Sequence, residues 1–315
     1  MRDSSKLVFW IGALAIAGVT ALGLADRLQM DGAIGWAFDL LSHWPRHLFV
    51  VGMLIGALAA WRRAMAPAGI LLGAAVVNLA ILVGGGEFAQ PQPAPPGASM
   101  IRVVSANVHG SMEAFQTLVA EAKDYGADIV SVYEAPDELE DADIAGLFPA
   151  MARRSLPSVR LEGWPLKRRS MLVADGEGEI LVTRFLESNG VIIRAQKNGV
   201  QIVTTHPPSP GGPDEKWDRD RQLASIGEGL DTSLPFIIMG DFNTTPWGHA
   251  YASAPGTRAG DPRFEGTFPS FAGVLGLPID HVRFGGGLVL TNYHVGQNIG
   301  SDHLPLFATF ALPQR

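Results

Sequence analysis

No cysteine occurs anywhere in the 315 residues, so the chain can form no disulfide, no thiolate zinc site and no cysteine nucleophile. Basic charge is scarce beyond the first hundred residues. Residues 1–100 hold six Lys/Arg and five Asp/Glu, and the rest of the chain holds 18 basic against 26 acidic side chains. A protein that binds nucleic acid mainly through counterion release presents a basic face, so this excess of carboxylates argues against bulk attraction to DNA, though not against a local basic groove. There is no internal repeat and no fit to a phosphate-binding Gly-rich loop. What the chain has in quantity is apolar residues, 47% of the total, enough for at least one sizeable core.

Those residues are unevenly placed. Leu7–Leu24 is an uncharged run that as a helix covers roughly 27 Å, close to the hydrocarbon thickness of a bilayer. Ala66–Val83 is a second run, interrupted only by Asn78. Leu48–Trp61 is a shorter third that reaches spanning length by including Pro45–His47. The reading is three membrane helices within residues 1–83. The alternative for the first run is a cleaved signal peptide with Gly23-Leu24-Ala25 as its small-residue site, but the run exceeds the usual h-region of about 7–15 residues. Gly52, Gly56 and Ala60 form a small-xxx-small stripe suited to helix packing in lipid.

Arg2 and Lys6 precede the first span, and Arg62 and Arg63 stand between the second and third. Placing both sets in the cytoplasm puts the loop Ala25–Trp44 outside and sends the chain outside again after the third span. Residues 84–100 follow as a Gly/Pro-rich linker; its Gly84–Ser99 stretch is composed for extended conformation and reaches at most about 50 Å.

From Ile101 the pattern becomes short apolar runs separated by polar helical stretches. Strands are expected at Ile101–Ser105, Ile129–Tyr133, Ser170–Ala174, Glu179–Arg184, Val191–Gln196, Val200–Thr205 and Pro235–Met239. Met112, Phe115, Leu118, Val119 and Ala122 recur at helical spacing before a Gly126 stop, and Asp214–Leu230 reads as a charged amphipathic helix. Asn198-Gly199 signals a hairpin turn. Asn107, Glu134, His206 and Asp241 each stand where a strand runs out into a loop, the usual place for functional side chains on a sheet scaffold.

Six short motifs occur along this stretch: Ser105-Ala106-Asn107-Val108-His109, Tyr133-Glu134, Thr205-His206-Pro207, Gly240-Asp241-Phe242-Asn243, Ile279-Asp280-His281 and Ser301-Asp302-His303. Taken singly they are weak, since a lone Glu at a strand end is mostly solvated and Asp and Asn favour turns. In this order they resemble the endonuclease/exonuclease/phosphatase superfamily, which includes DNase I, abasic-site exonucleases, sphingomyelinases and inositol polyphosphate phosphatases. The Asn243–Trp247 run, with spans upstream, is most similar to membrane-associated bacterial members. The resemblance implies an α/β fold over residues 101–315: a four-layer sandwich of two mixed sheets flanked by helices, preceded by the helical membrane segment.

It also implies roles. Hydrolysis of a phosphate ester needs charge neutralisation on the phosphoryl oxygens, an activated water and a proton for the leaving oxygen. By resemblance Glu134 is the principal metal ligand, with Asn107 beside it and Asp302 nearby. Oxygen ligands of this kind suit Mg²⁺, with Mn²⁺ as the alternative ion. Asp241 orients or deprotonates water, Asn243 holds a phosphoryl oxygen, and His303 is the general base, its ring fixed by Asp280. His206 matches the histidine of DNase I and sphingomyelinases that acts toward the leaving group, and its presence tilts the reading away from abasic-site enzymes. His109 stands where those enzymes often carry an Asp. The cluster Arg153, Arg154, Arg160, Lys167, Arg168 and Arg169 could grip phosphates or anionic lipid heads, or be a solvated face. Leu161–Asp175 diverges from the family's mid-domain strand motif.

The expected function is hydrolysis of phosphodiester bonds by a membrane-anchored, metal-dependent enzyme. The substrate is either nucleic acid or a phospholipid or sphingolipid head group, and no protein partner is inferable. A catalytically silent binding module is the remaining alternative, against which stand the retained Glu134, Asp241, Asn243, Asp302 and His303. The topology has a direct test: alkaline phosphatase fused after Pro96 should be active and a cytoplasmic reporter at the same point silent, and the reverse pattern would overturn the outside placement.

Overall fold

The computed structural model describes residues 2–136, 139, 171–174, 180–185 and 190–314. The basic cluster from Arg153 to Arg169 lies outside the described residues, as does most of Leu161–Asp175. The chain divides into two compact units.

The first unit contains residues 1–86 together with 210–217 and 244–252. Its helices are α1 (Arg2–Leu24), α2 (Gly32–Ser42), α3 (Pro45–Trp61) and α4 (Met65–Val83). α1 with its 3₁₀ extension to Leu28, and α4, are each long and apolar enough to cross a membrane; α2 and α3, bent by 63° at their junction, make a third candidate if they form one span. α2 corrects the expectation of an open loop at Ala25–Trp44, because Ile34, Trp36, Phe38, Leu40 and Leu41 carry enough apolar character for a helix too short to span. The small-residue stripe faces α4: a Cβ on Gly52 would lie 3.2 Å from the Leu71 carbonyl oxygen, and one on Gly56 2.9 Å from Leu72 Cδ2. Asn78 Nδ2 donates to Thr20 Oγ1 of α1 at 2.8 Å and to its own helix at Ala74 O. The two outlying segments are tied in by Trp36 Nε1 donating to Pro210 O (2.8 Å), a His43 Nδ1 to Thr245 Oγ1 bond (3.0 Å) and the His249 amide donating to Asp26 Oδ2 (2.8 Å).

The second unit is built on two mixed β-sheets. In chain order its strands are β1 (Phe88–Ala89), β2 (Met100–Asn107), β3 (Ile129–Tyr133), β4 (Met171–Ala174), β5 (Ile180–Phe185), β6 (Gly190–Lys197), β7 (Val200–Thr205), β8 (Phe236–Asp241), β9 (Thr257–Ala259), β10 (Asp280–Gly285), β11 (Val289–Val295) and β12 (Leu306–Ala311). One sheet runs β1-β9-β10-β8-β7-β6-β5 and the other β11-β12-β2-β3-β4. β2 and β3 pair in parallel, as do β7 and β8, whereas β8/β10 and β2/β12 are antiparallel. Helix α5 (Met112–Tyr125) connects β2 to β3, and α6 (Pro213–Ala224) connects β7 to β8, as parallel neighbours require a crossover.

Strand alternation distributes the core. On β2, Ile101 and Val103 join Ile129, Ile202, Ile237, Met239, Val282 and Phe310 in one cluster, while Val104 and Ala106 turn to Phe115, Leu118 and Ala122 of α5 in another. The side-chain period of two makes each strand serve both faces. α5 starts at Ser111, whose side chain accepts from the Ala114 amide, and stops at Gly126 with φ 68°, a cap and stop that only a side-chain oxygen and a glycine supply well. Asn198 and Gly199, at φ 53° and 77°, turn β6 into β7.

Two further expectations change. α6 ends at Ala224 and gives way to a 3₁₀ turn, Ser225–Gly227, shorter than Asp214–Leu230 because Gly227 and Gly229 favour non-helical backbone. The Gly84–Ser99 stretch is not uniformly extended spacer: β1 within it pairs with β9, and the Gln92 amide donates to Leu290 O at 2.8 Å. Phe310 is fully buried between the sheets, stacked at a tilt on Phe284. Phe310→Ala should cost about 3–5 kcal/mol, seen as a lowered thermal midpoint of the full chain; an unchanged midpoint would contradict this packing.

Candidate active site

Strand register brings the motifs to one edge of the second unit. Asn107 stands opposite Tyr133 at the ends of β2 and β3, Thr205 opposite Gly240 on β7 and β8, and Asp241 opposite Asp280 on β8 and β10. Parallel pairs end together at their C-terminal edge, and each antiparallel partner begins there. Gly240 is required by this closeness: a Cβ would fall 2.3 Å from the Thr205 carbonyl oxygen.

The loops that leave these strands are tied to one another. The Val108 amide donates to Tyr133 O (3.0 Å) and the Gly110 amide to Glu134 O (2.7 Å), while Ser301 Oγ donates to Asn107 O (2.7 Å) and accepts from the His303 amide (3.2 Å). His109, Glu134 and Asn243 all adopt positive φ, near 50°, a region uncommon for residues other than glycine and held only when the surroundings over-determine it. Their concentration in three of the six motifs marks the site independently of residue type.

The side chains converge. Asn107 Nδ2 donates to Glu134 Oε1 at 3.2 Å and to Asp241 Oδ2 at 3.1 Å. His109 Nδ1 lies 3.7 Å from Glu134 Oε2 and 3.5 Å from Asp302 Oδ1, so both carboxylates lie beside the same imidazole. His206 Nε2 is 3.5 Å from Asp241 Oδ2 and 3.7 Å from Glu134 Oε1, and His303 Nε2 is 3.6 Å from Asp241 Oδ2. The other ring nitrogen of His303 is bonded to Asp280 Oδ2 at 2.9 Å. The Asn243 amide donates to Asp241 Oδ1, and Asn243 Nδ2 donates to Pro207 O. All eight residues singled out by sequence are thus gathered here: Asn107, Glu134, His206, Asp241, Asn243, Asp280, Asp302 and His303.

Charge in the cluster is strongly biased. Burial works against the charged form of His303, but the Asp280 and Asp241 carboxylates beside it prevail and raise its pKa to about 10. Burial likewise opposes ionisation of Asp241, and His303, His206 and Asn107 outweigh it, holding this carboxyl below the usual range. His303 therefore carries its proton at neutral pH, which is at odds with an unassisted general base.

Four carboxylates, Glu134, Asp241, Asp280 and Asp302, surround this pocket of charge. His206 Nε2 and Asp280 Oδ1 are buried without a hydrogen bond, and such groups call for a further partner. The oxygen-rich donor set fits a divalent cation. A tighter grouping, Asp241, Asp280 and His303, has ligand atoms within 4.8 Å of one another, while Glu134 and Asp302 stand at the less buried side of the cluster beside His109.

Other residues have a supporting role that residue order does not show. Tyr133 is fully buried, and its hydroxyl bonds Thr204 Oγ1 (2.6 Å), Ser131 Oγ (2.7 Å) and Ser105 Oγ (3.3 Å), joining the strands that carry Asn107, Glu134 and His206. Arg219 of α6 is buried and donates to Asn243 O at 3.1 Å. Thr267 Oγ1 accepts the Asp280 amide. Tyr133 stands inside a motif beside Glu134, Arg219 lies on a helix whose charged pattern hides a buried arginine, and Thr267 lies in a loop remote in sequence from every motif.

The Asp280–His303 pair sets a pH signature. Because the folded pKa of His303 is raised, its contribution to stability is fully present below the ordinary value of about 6.5 and is lost as pH rises through about 10. Asp280→Asn should lower the thermal midpoint near neutrality, and its gap from wild type should close as pH climbs toward 10. A gap independent of pH would contradict the ion pair.

Comparison with known proteins bears on the family and the fold. The family model described as Endonuclease/Exonuclease/phosphatase family matches residues 104–303. No curated protein matches the chain. Among solved structures, an endonuclease/exonuclease/phosphatase from Beutenbergia cavernae is 18% identical with a TM-score of 0.53, covering 68% of this chain and 72% of its own. An AP endonuclease from Archaeoglobus fulgidus is 16% identical at a TM-score of 0.53, covering 67% of this chain and 100% of its own. A protein of the same family from Bacteroides vulgatus is 15% identical at 0.52, covering 68% and 100%. The similarity to these structures is one of fold, two mixed sheets flanked by helices, and with well over half of the chain spanned by the family match, the protein belongs to the endonuclease/exonuclease/phosphatase family and carries its phosphoesterase fold.

Proposed function

We propose that the protein is a membrane-anchored hydrolase of phosphodiester bonds, dependent on a divalent cation, with Mg²⁺ the first choice and Mn²⁺ the alternative. What supports this is the family match together with Glu134 and Asp302 each lying beside His109 Nδ1, 3.7 and 3.5 Å away, and Asn107 bonding both Glu134 and Asp241. Glu134, Asn107 and Asp302 would hold the ion. When bound, it supplies positive charge against the phosphoryl oxygens.

The chain's own residues divide the remaining work. Asp241, ionised and anchored on both oxygens, orients the attacking water in line with phosphorus. His303, protonated and fixed by Asp280, offers a charged donor to a phosphoryl oxygen, where preorganised positive charge favours the transition state over the ground state. Asn243 Nδ2, held toward Pro207 O, stands beside Asp241 as a second donor. His206, whose Nε2 lies 3.5 Å from Asp241 Oδ2, would give a proton to the leaving oxygen. Two substrate classes meet these requirements, nucleic acid and the head groups of membrane lipids.

α1 and α4, with α2 and α3 as one broken span, would make the anchor multi-pass and place the catalytic unit outside the cytoplasm, by the distribution of Arg and Lys around the spans. Full-length protein assayed on bis(p-nitrophenyl) phosphate should turn over with Mg²⁺ and stop with chelator, and Glu134→Gln should lower kcat by about 10²-fold or more while the protein remains folded. Turnover that survives either treatment would refute the proposed ion site.

A further inference from the structure

The second unit carries a cluster of apolar side chains that the chemistry above does not use. The short 3₁₀ segment Ser270–Leu275 contains no buried residue, and Phe271, Val274 and Leu275 are 87%, 64% and 67% exposed. Phe264, on the preceding loop, is 72% exposed. Single apolar residues on a surface are ordinary, but a large aromatic and two aliphatic residues exposed within one five-residue stretch mark an interaction surface.

This turn is well held. Phe268 and Leu277 bridge at its base through reciprocal amide-to-carbonyl bonds, the Ala272 amide donates to Pro269 O, and the Gly276 amide donates to Gly273 O. Gly273, at φ 52° and ψ −128°, kinks the segment between Phe271 and Val274. It is also joined to the catalytic motif: the Ser270 amide donates to Asp302 O at 2.7 Å, Ser270 Oγ donates to Ser301 O at 2.7 Å, and the Phe268 ring lies 4.9 Å from that of His303. An apolar tip therefore stands on the backbone of the residues that would face a phosphoryl group.

We propose that the Phe271–Leu275 tip seats in the surface of a lipid bilayer and delivers the site to phosphate esters carried on membrane lipids. This rests on the phosphodiesterase reading above and names its substrate class. Three observations choose the bilayer. The same chain has helices long and apolar enough to cross a membrane. The chain beyond residue 100 is acidic, which disfavours the polyanionic backbone of nucleic acid. A lipid places its phosphate at the boundary between apolar chains and water, matching a site whose Asp302 backbone carries the exposed apolar turn. Aromatic and aliphatic side chains of this kind partition into that boundary.

The test uses full-length protein in nanodiscs of phosphatidylcholine and phosphatidylglycerol. The absence of cysteine allows Phe271→Cys to carry a single environment-sensitive fluorophore, with Asp124→Cys, exposed on α5, as control. The label at 271 should shift blue and be quenched by spin-labelled lipids, while that at 124 stays aqueous. An aqueous label at 271 overturns the docking, whatever the enzyme does.

A triple variant, Phe271→Ser, Val274→Ser and Leu275→Ser, should lose about tenfold or more of its hydrolysis of phospholipid vesicles and keep its rate on bis(p-nitrophenyl) phosphate. Equal rates for variant and wild type on vesicles, loss on both substrates together, or wild-type cleavage of plasmid DNA without any of lipid would each overturn the proposal. Wild-type inactivity on the soluble diester would instead sink the phosphodiesterase reading, leaving the fluorophore result to decide the membrane contact.

Discussion

A carboxylate buried where two sheets meet must be compensated, and Asp241 is that carboxylate. Leaving an unpaired charge in such a place costs several kcal/mol, on the order of 3–5. Its Oδ2 is shared by Asn107 from one sheet and approached by His206 and His303, while Oδ1 takes the Asn243 amide. Those partners come from β2, from the loops after β7 and β8, and from the loop before β12. Satisfying one charge thereby fixes the relative register of both sheets at the edge where the chemistry would occur.

The surrounding arrangement follows from the same demand. Asp280 faces Asp241 across the β8/β10 pair, and two facing carboxylates are tolerable because the His303 cation lies against both. Glu134 and Asp302 are less buried; Asn107, His109 and His206 stand beside the first, and His109 and Ser301 beside the second. The interior of the cluster is thus neutralised by protein groups, while its rim keeps negative charge for an ion. Positive φ at His109, Glu134 and Asn243 is the backbone cost of turning these side chains inward, borne by the loop hydrogen bonds around Ser301, Tyr133 and Asn107.

Much of this was legible in residue order, for identifiable reasons. Fully buried strands such as Ile129–Tyr133 and Phe236–Asp241 announce themselves as short apolar runs, and the side chain at the end of each run is the one presented to the loop. The sandwich itself came from the resemblance of six motifs and not from periodicity, which cannot say which strands share a sheet. Other features could not be read in one dimension. Arg219 lies in a segment dense with charge, Asp214 to Arg221, and only packing shows that this one arginine is buried. Tyr133 looks like a strand residue until Ser105, Ser131 and Thr204 are placed around its hydroxyl. β1 is two residues long within a Pro-rich stretch, too short to have a pattern. The protonation of His303 depends on two carboxylates that are 23 and 62 positions away in the chain.

The central claim is that Glu134, Asn107 and Asp302 form one cation site. Its most direct measurement is electron paramagnetic resonance of Mn²⁺ titrated into the full-length protein, wild type against Asp302→Asn and Glu134→Gln. A single saturable site in the wild type that is weakened in both variants is the predicted result. Equal Mn²⁺ binding in all three proteins, or none in the wild type, would contradict it.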